Sequence, residues 1–228
     1  MNEKEKQMFL AWSHRPEFAV LVQDTLATIK QHVDAGKCMV AYSGGKDSTA
    51  MLHLALQVCP EIDVFLWDQG MYLMPREVHV EICVNARKVG AKNFIVESAK
   101  VQNKPEIVFN PDLWGVSHRT HYAVIGKLRR ERGWMTQFVG LRAEESCSRK
   151  RVCSKPRRGE VYPLDKWDWR SVWAYIVSRE LPYPKLYDVY GPLLGWDKAR
   201  FVNFFSKRFE NFGSPYLDGF FFPQYRNK

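Results

Sequence analysis

Residues 38–48 read Cys38-Met39-Val40-Ala41-Tyr42-Ser43-Gly44-Gly45-Lys46-Asp47-Ser48. The first five form an apolar run of about the length of a buried strand, and Thr49 to Gln57 carries a helical pattern. Ser43–Ser48 is therefore a turn from strand to helix. Two glycines let the backbone turn tightly and bring its N–H groups close to an anion. The helix opening near Ser48 adds its positive end, so a phosphate held there is stabilised twice. Lys46 supplies a mobile cation, and Ser43 and Ser48 supply hydroxyls. The loop is not a Walker A motif, whose first glycine and post-lysine Ser/Thr positions are here Val40 and Asp47.

Outward from this loop the chain alternates. Ile62 to Trp67 reads as a second strand, Pro75 to Val89 as a helix and Asn93 to Val96 as a third strand. A loop-rich stretch, Asn103 to Leu113, leads to a helix from His118 to Arg132. Strands follow at Gln137 to Leu141 and Val161 to Leu164. Repeated strand–helix units predict a doubly wound α/β fold with a mainly parallel five-stranded, Rossmann-like sheet. Residues 1–37 are expected to form an N-terminal helical segment, 38–188 the nucleotide-binding domain and 189–228 an aromatic-rich helical C-terminal extension. In that extension Phe201, Phe205, Phe209 and Phe212 share a helical face, joined by Phe204, and the tail holds Gly219-Phe220-Phe221-Phe222-Pro223. Such a stripe is either a packing face or a platform for a partner.

With 46% apolar and 26% charged residues among 228, the chain can bury a sizeable core. No apolar run reaches the roughly 18 residues of a spanning helix, and the N-terminus lacks the pattern of a secretory signal, so the expected location is cytoplasmic. Five cysteines without Cys-x-x-Cys spacing argue for reduced thiols and against a disulfide framework, a zinc site or an iron–sulfur cluster. The net charge of +9 favours anionic partners.

Ser-Gly-Gly-Lys-Asp-Ser resembles the pyrophosphate loop (PP-loop) of the adenine nucleotide α-hydrolase superfamily. Trp67-Asp68-Gln69-Gly70 with Pro75-Arg76-Glu77 is similar to that group's segment after the second strand. Gly140-Leu141-Arg142-Ala143-Glu144-Glu145-Ser146-Cys147-Ser148-Arg149 resembles the Gly-x-Arg-x-x-Glu-Ser-x-x-Arg element of the phosphoadenosine phosphosulfate (PAPS) reductase family. Tyr162-Pro163-Leu164 and the block from Trp169 to Asp188 match the same family. The resemblance implies an adenine-nucleotide site in which Gly44, Gly45, Lys46 and Ser48 hold a pyrophosphate. It adds Asp47 and Asp68 as candidates for magnesium or ribose contact, Arg142 and Arg149 as anion forks, and Glu145 to orient one of them or bind the metal. Gly140 and Ser146 belong to the same expected nucleotide-binding set, and Lys46, Asp47, Arg142 and Arg149 to the catalytic one.

The family's reductases carry a catalytic cysteine in a C-terminal motif, and no cysteine follows Cys153 here. The expected chemistry is therefore attack at the α-phosphate of ATP·Mg with release of pyrophosphate. The alternative is a sulfonucleotide (PAPS or adenosine phosphosulfate, APS) reductase or transferase using Cys147, Cys153 or an external thiol. The run Arg149–Arg158 holds six cations in ten residues and reads, with Pro156 and Gly159, as a flexible loop. It would close over nucleotide phosphates, grip a nucleic-acid acceptor, or remain a solvated loop. A third reading, a nucleic-acid-binding module, rests on that run; the acceptor is open, and a homo-oligomer is compatible with the sequence. His118 and His121, three apart on a helix, lack further metal ligands at suitable spacing.

Overall fold

The apolar run at the start of the loop forms the central strand, β1 (Cys38–Tyr42), of a computed structural model that describes residues 1–108 and 110–199. Beside it lie β2 (Asp63–Trp67), β3 (Asn93–Glu97), β4 (Thr136–Val139) and β5 (Glu160–Val161). All pairings are parallel and the order is β3-β2-β1-β4-β5, with Ala41 opposite Phe65 on one side and Val139 on the other. The expected doubly wound parallel sheet is present. The chain steps outward from β1 to β3 and then crosses back to β4, so the order reverses between β1 and β4. A crevice opens at such a reversal, above the carboxyl ends of the two strands.

Alternation along the strands divides the core. Val40, Tyr42, Val64, Leu66 and Phe138 face the layer containing α3 (Lys46–Val58) and α4 (Arg76–Val89), whereas Met39 and Phe65 face Ile125 of α5 (Pro111–Arg132). Two further helices precede the sheet, α1 (Glu3–Ser13) and α2 (Pro16–Ala35). Asn2 caps α1 reciprocally with Glu5, at 2.9 and 2.8 Å, a capping box readable as Asn-x-x-Glu. After β4 come α6 (Cys147–Ser154), α7 (Trp169–Ser178) and α8 (Leu186–Leu194).

Around α7 an aromatic cluster joins the N-terminal helix to the helices beyond the sheet. Trp173 meets Trp196 edge-on at 4.8 Å and Tyr183 and Tyr187 at 5.2 Å each, and Phe9 of α1 lies 6.2 Å from Trp169. The Trp173 indole donates to the Trp196 carbonyl at 3.1 Å.

Helix α3 starts three residues early, at Lys46, and the fourth strand ends at Val139 instead of Leu141; three further differences have a clear local cause. The fifth strand ends at Val161 instead of Leu164, since Pro163 has no N–H for a ladder. Helix α5 starts at Pro111, seven residues early, because Asn110 caps it, accepting from the Asp112 amide at 3.0 Å, and proline suits its first turn. The first half of the basic run is helix rather than loop: Ser146 accepts from the Arg149 amide at 3.1 Å and so starts α6. The phenylalanines from Phe201 onward, the Gly219–Pro223 tail and most of the expected C-terminal extension lie outside the described residues. Among the described residues no helix is long and apolar enough to cross a membrane.

Candidate active site at the sheet reversal

Gly44 makes the turn after β1 with a φ of +83°, and a β-carbon there would lie 2.5 Å from the Ile82 side chain. Only glycine fits, so the loop passes close over α4. Helix α3 then begins with Gly45 as its N-cap, which has no side chain to satisfy the first amides. The Ser48 hydroxyl donates to the Gly45 carbonyl at 2.9 Å and accepts from the Ser43 amide at 3.2 Å, while the two serine hydroxyls are 3.1 Å apart. These bonds hold the turn shut from inside, and of the first amides of α3 the one at Lys46 donates to the Tyr187 hydroxyl.

The strand on the other side of the reversal supplies the second half. Gly140, just past β4, runs against the start of α3: a β-carbon there would sit 2.7 Å from the Asp47 carbonyl oxygen. That close approach delivers Arg142 to Asp47. The Arg142 Nε donates to Asp47 at 2.5 Å, and its Nη1 donates to Glu144 at 2.7 Å. Its Nη2 is 3.8 Å from Glu145, which in turn lies 3.5 Å from Arg149. Lys46 completes the network from α3, with its ammonium 2.9 Å from the other Asp47 oxygen. Lys46 and Arg142 are each only 1% exposed.

Burial alone would raise the Asp47 carboxyl, but the Lys46 and Arg142 cations outweigh it and hold the group down to about 2. Glu145 moves the other way. Burial, with the Asp47 charge beside it, pushes its carboxyl up against the pull of Arg142, Lys46 and Arg149. Three cations thus face three carboxylates, and the network is close to neutral. An anion entering the crevice is met by loop amides and the α3 dipole, with Lys46 and Arg142 released to it only as they leave Asp47.

Asp68 stands apart from this network at the end of β2. Arg76 donates to both of its oxygens, at 3.0 and 2.9 Å, the Gly70 amide donates at 2.8 Å, and His79 is 3.4 Å away. Burial pulls the His79 imidazole below its usual value while Asp68 draws it up. Both carboxylates assigned to magnesium or ribose from the sequence are therefore already bridged by cations. Among the described residues no group of three or more His, Cys, Asp or Glu side chains converges as a metal cage.

The remaining expected residues take defined places. Ser146 caps α6, and Cys147 in the first turn of that helix is the exposed one among the five free cysteines. Cys153 is half-buried, and burial, with Asp165 and Glu145, pushes its thiol up. His121 is not at the crevice; its ring lies 4.9 Å from Trp67 and 6.0 Å from Phe65. Three participants were not anticipated: Glu144 on Arg142, His79 on Asp68, and Tyr187, whose hydroxyl accepts from the Lys46 amide at 3.3 Å. Glu144 sits inside the Gly140–Arg149 signature, so its charge beside Arg142 was a usable signal. No local pattern announces His79 or Tyr187.

Residues 37–195 match the model of the phosphoadenosine phosphosulfate reductase domain. An adenosine 5'-phosphosulfate reductase of Bacillus mycoides (strain KBAB4) is 31% identical over 170 residues, covering 70% of this chain and 71% of that one. A phosphoadenosine 5'-phosphosulfate reductase of Xanthomonas oryzae pv. oryzae (strain PXO99A) is 30% identical over 155 residues, 64% of each chain. The structure of a phosphoadenylyl-sulfate reductase from Candida auris, a phosphate complex, is 16% identical and covers 71% of this chain and 84% of that one with a TM-score of 0.49. With the match spanning most of the chain and running through both halves of the crevice, this protein belongs to the phosphoadenosine phosphosulfate reductase domain family.

Proposed function

We propose that the crevice between β1 and β4 binds an adenine nucleotide carrying a 5'-phosphosulfate, APS or PAPS, and that a thiol removes its sulfonate. The observation that supports this reading is the joining of the two family signatures into one anion site, Ser43–Ser48 against Gly140–Arg149, in a chain whose relatives reduce sulfonucleotides. The loop amides and the N-terminus of α3 hold the anionic end, and Arg142 and Arg149 take the charge that builds on the leaving phosphate. Cys147 is the accessible thiol beside them. Its thiolate attacks the sulfate sulfur, the bond from that sulfur to the phosphate oxygen breaks, and AMP or its 3'-phosphorylated form departs. An external dithiol then attacks the cysteine sulfur, sulfite leaves with the bonding pair, and the resulting mixed disulfide closes to the oxidised dithiol, regenerating Cys147. This ordering places the sulfonucleotide above the ATP chemistry expected from the sequence.

A second reading, attack at the α-phosphate of ATP, is favoured by one observation: the Ser43–Ser48 loop is complete and its helix opens on a glycine with no capping side chain. One experiment separates the two. Sulfite release from APS and PAPS with dithiothreitol, and pyrophosphate release from ATP·Mg, are measured on wild type, Lys46→Ala and Cys147→Ser. Sulfite release lost in both variants is the expected result. Pyrophosphate release that survives Cys147→Ser, with no sulfite formed, replaces the sulfonucleotide by ATP. Turnover unchanged in Lys46→Ala removes the crevice from either reaction.

A further inference from the structure

On α5 the positions Arg119, Tyr122, Gly126, Arg129 and Arg130 fall within one sector of the helix, by its 3.6-residue period. The segment following α6 is fastened along this face. Arg157 donates to the Tyr122 hydroxyl at 2.7 Å, and Arg129 donates to the Gly159 carbonyl at 3.3 Å. The basic run is therefore held as a fixed surface next to a second set of cations, and not as the free loop expected from Pro156 and Gly159.

Counter-charges are few on this surface. Lys150, Arg151, Lys155 and Arg158 are exposed, as is Arg130 of α5, and none has a carboxylate within 4 Å among the described residues. Most of the nearby acids are engaged; Asp165, close enough to α6 to bear on the Cys153 thiol, makes no ion pair among the described residues. Glu131 is 3.7 Å from Lys127, Asp63 is 3.6 Å from Arg132, Glu145 lies on Arg149 and Glu160 accepts from Tyr162. The surface begins at the crevice, since Arg149 is shared with the site network, and it runs along α6 to the 155–159 segment fastened on α5.

We propose that this face of α5, α6 and the 155–159 segment docks the phosphodiester backbone of a nucleic acid. Repeated, exposed cations without carboxylate partners match a polymer of evenly spaced phosphates, whereas a single nucleotide is served by the buried pair Lys46 and Arg142. Tyr122, 43% exposed at the centre, offers a ring edge beside the anchored Arg157. The surface acts independently of which nucleotide fills the crevice.

The test is fluorescence anisotropy of the full chain with labelled 20-mers of single-stranded DNA, duplex DNA and RNA, over a series of salt concentrations. Wild type should bind with a steep salt dependence. The triple variant Lys150→Glu, Arg151→Glu, Lys155→Glu should weaken binding on the order of tenfold or more and lower the log–log salt slope by roughly 2 to 3 units, while its melting temperature holds. Tyr122→Phe, which releases Arg157, should weaken binding roughly two- to fivefold without changing the melting temperature. No binding at low salt, or an unchanged slope in the triple variant, overturns the proposal. So does tighter binding of polyglutamate than of any oligonucleotide, which would make the partner an acidic protein segment.

Discussion

Arg142 and Trp173 are both buried, at 1% and 0% exposure, and each sits at the centre of a cluster that joins distant parts of the chain. Around Trp173 the contacts are ring on ring, from Phe9, Tyr183, Tyr187 and Trp196. Around Arg142 they are ionic, from Asp47, Glu144 and Glu145. The aromatic cluster gains by leaving water, so it is fixed by volume. The ionic cluster loses hydration and recovers it only through partners, so it is fixed by charge balance. A ligand can exchange with a carboxylate in the second kind of centre but not with an indole in the first. The working end of the protein is accordingly built from groups that a phosphate or sulfate can replace.

The largest expected effect is at the aromatic centre. Trp173→Ala should cost about 3–5 kcal/mol in urea unfolding, because the void opens between three elements and the bond to the Trp196 carbonyl goes with it. A loss below about 1 kcal/mol would mean that the cluster is not set by volume. Next comes Arg142→Met, which keeps the bulk and removes the charge. It should cost on the order of 3 kcal/mol, since Asp47 and Glu145 remain buried with less compensation, and Asp47→Asn in the same chain should return part of the loss. If Arg142→Met is neutral, packing governs both centres and the contrast fails.

The smallest effect is in the acid limb of stability, where the two kinds of burial act in separate windows. His121, buried among Phe65 and Trp67, is pulled by burial and by His118 from 6.5 down to about 4. The unfolded chain therefore binds more protons between these values, and stability is complete above about pH 6.5 and falls as pH drops toward 4. Asp47, held at about 2 against an ordinary 3.8, again leaves the unfolded chain the better proton binder. Its contribution is present above about pH 4 and is lost as pH falls through about 2. Urea midpoints against pH should show the upper window flattened in His121→Phe and the lower one in Asp47→Asn. Loss of both windows in either variant would show that the centres are not separate.

Both halves of the crevice were legible because each is a short signature whose chemistry is carried by near neighbours. Ser43–Ser48 and Gly140–Arg149 can be read from glycine, cation and carboxylate spacing, and sheet order then brings them together. The order of the strands was legible only as a class, since periodicity marks a strand without naming its neighbour. The pairing of Asp68 was not readable, because Arg76 and His79 reach it from the helix that follows. The basic run was misjudged through its proline and glycine, whose breaking effect begins only after Ser154, while Ser146 starts a helix before it. Tyr187 was invisible as a site residue, being 141 positions from the amide it contacts.

That contact gives the molecule a built-in gauge. The Tyr187 hydroxyl occupies one of the first amides of α3, the position an incoming anion claims, and the same ring stands edge-on to Trp173. An anion bound at the Lys46 amide should displace the phenol, and the indole beside it should register the shift. Tryptophan emission followed during a titration with sulfate or APS is the readout, and an unchanged spectrum at saturation would show that this amide is not where the anion sits.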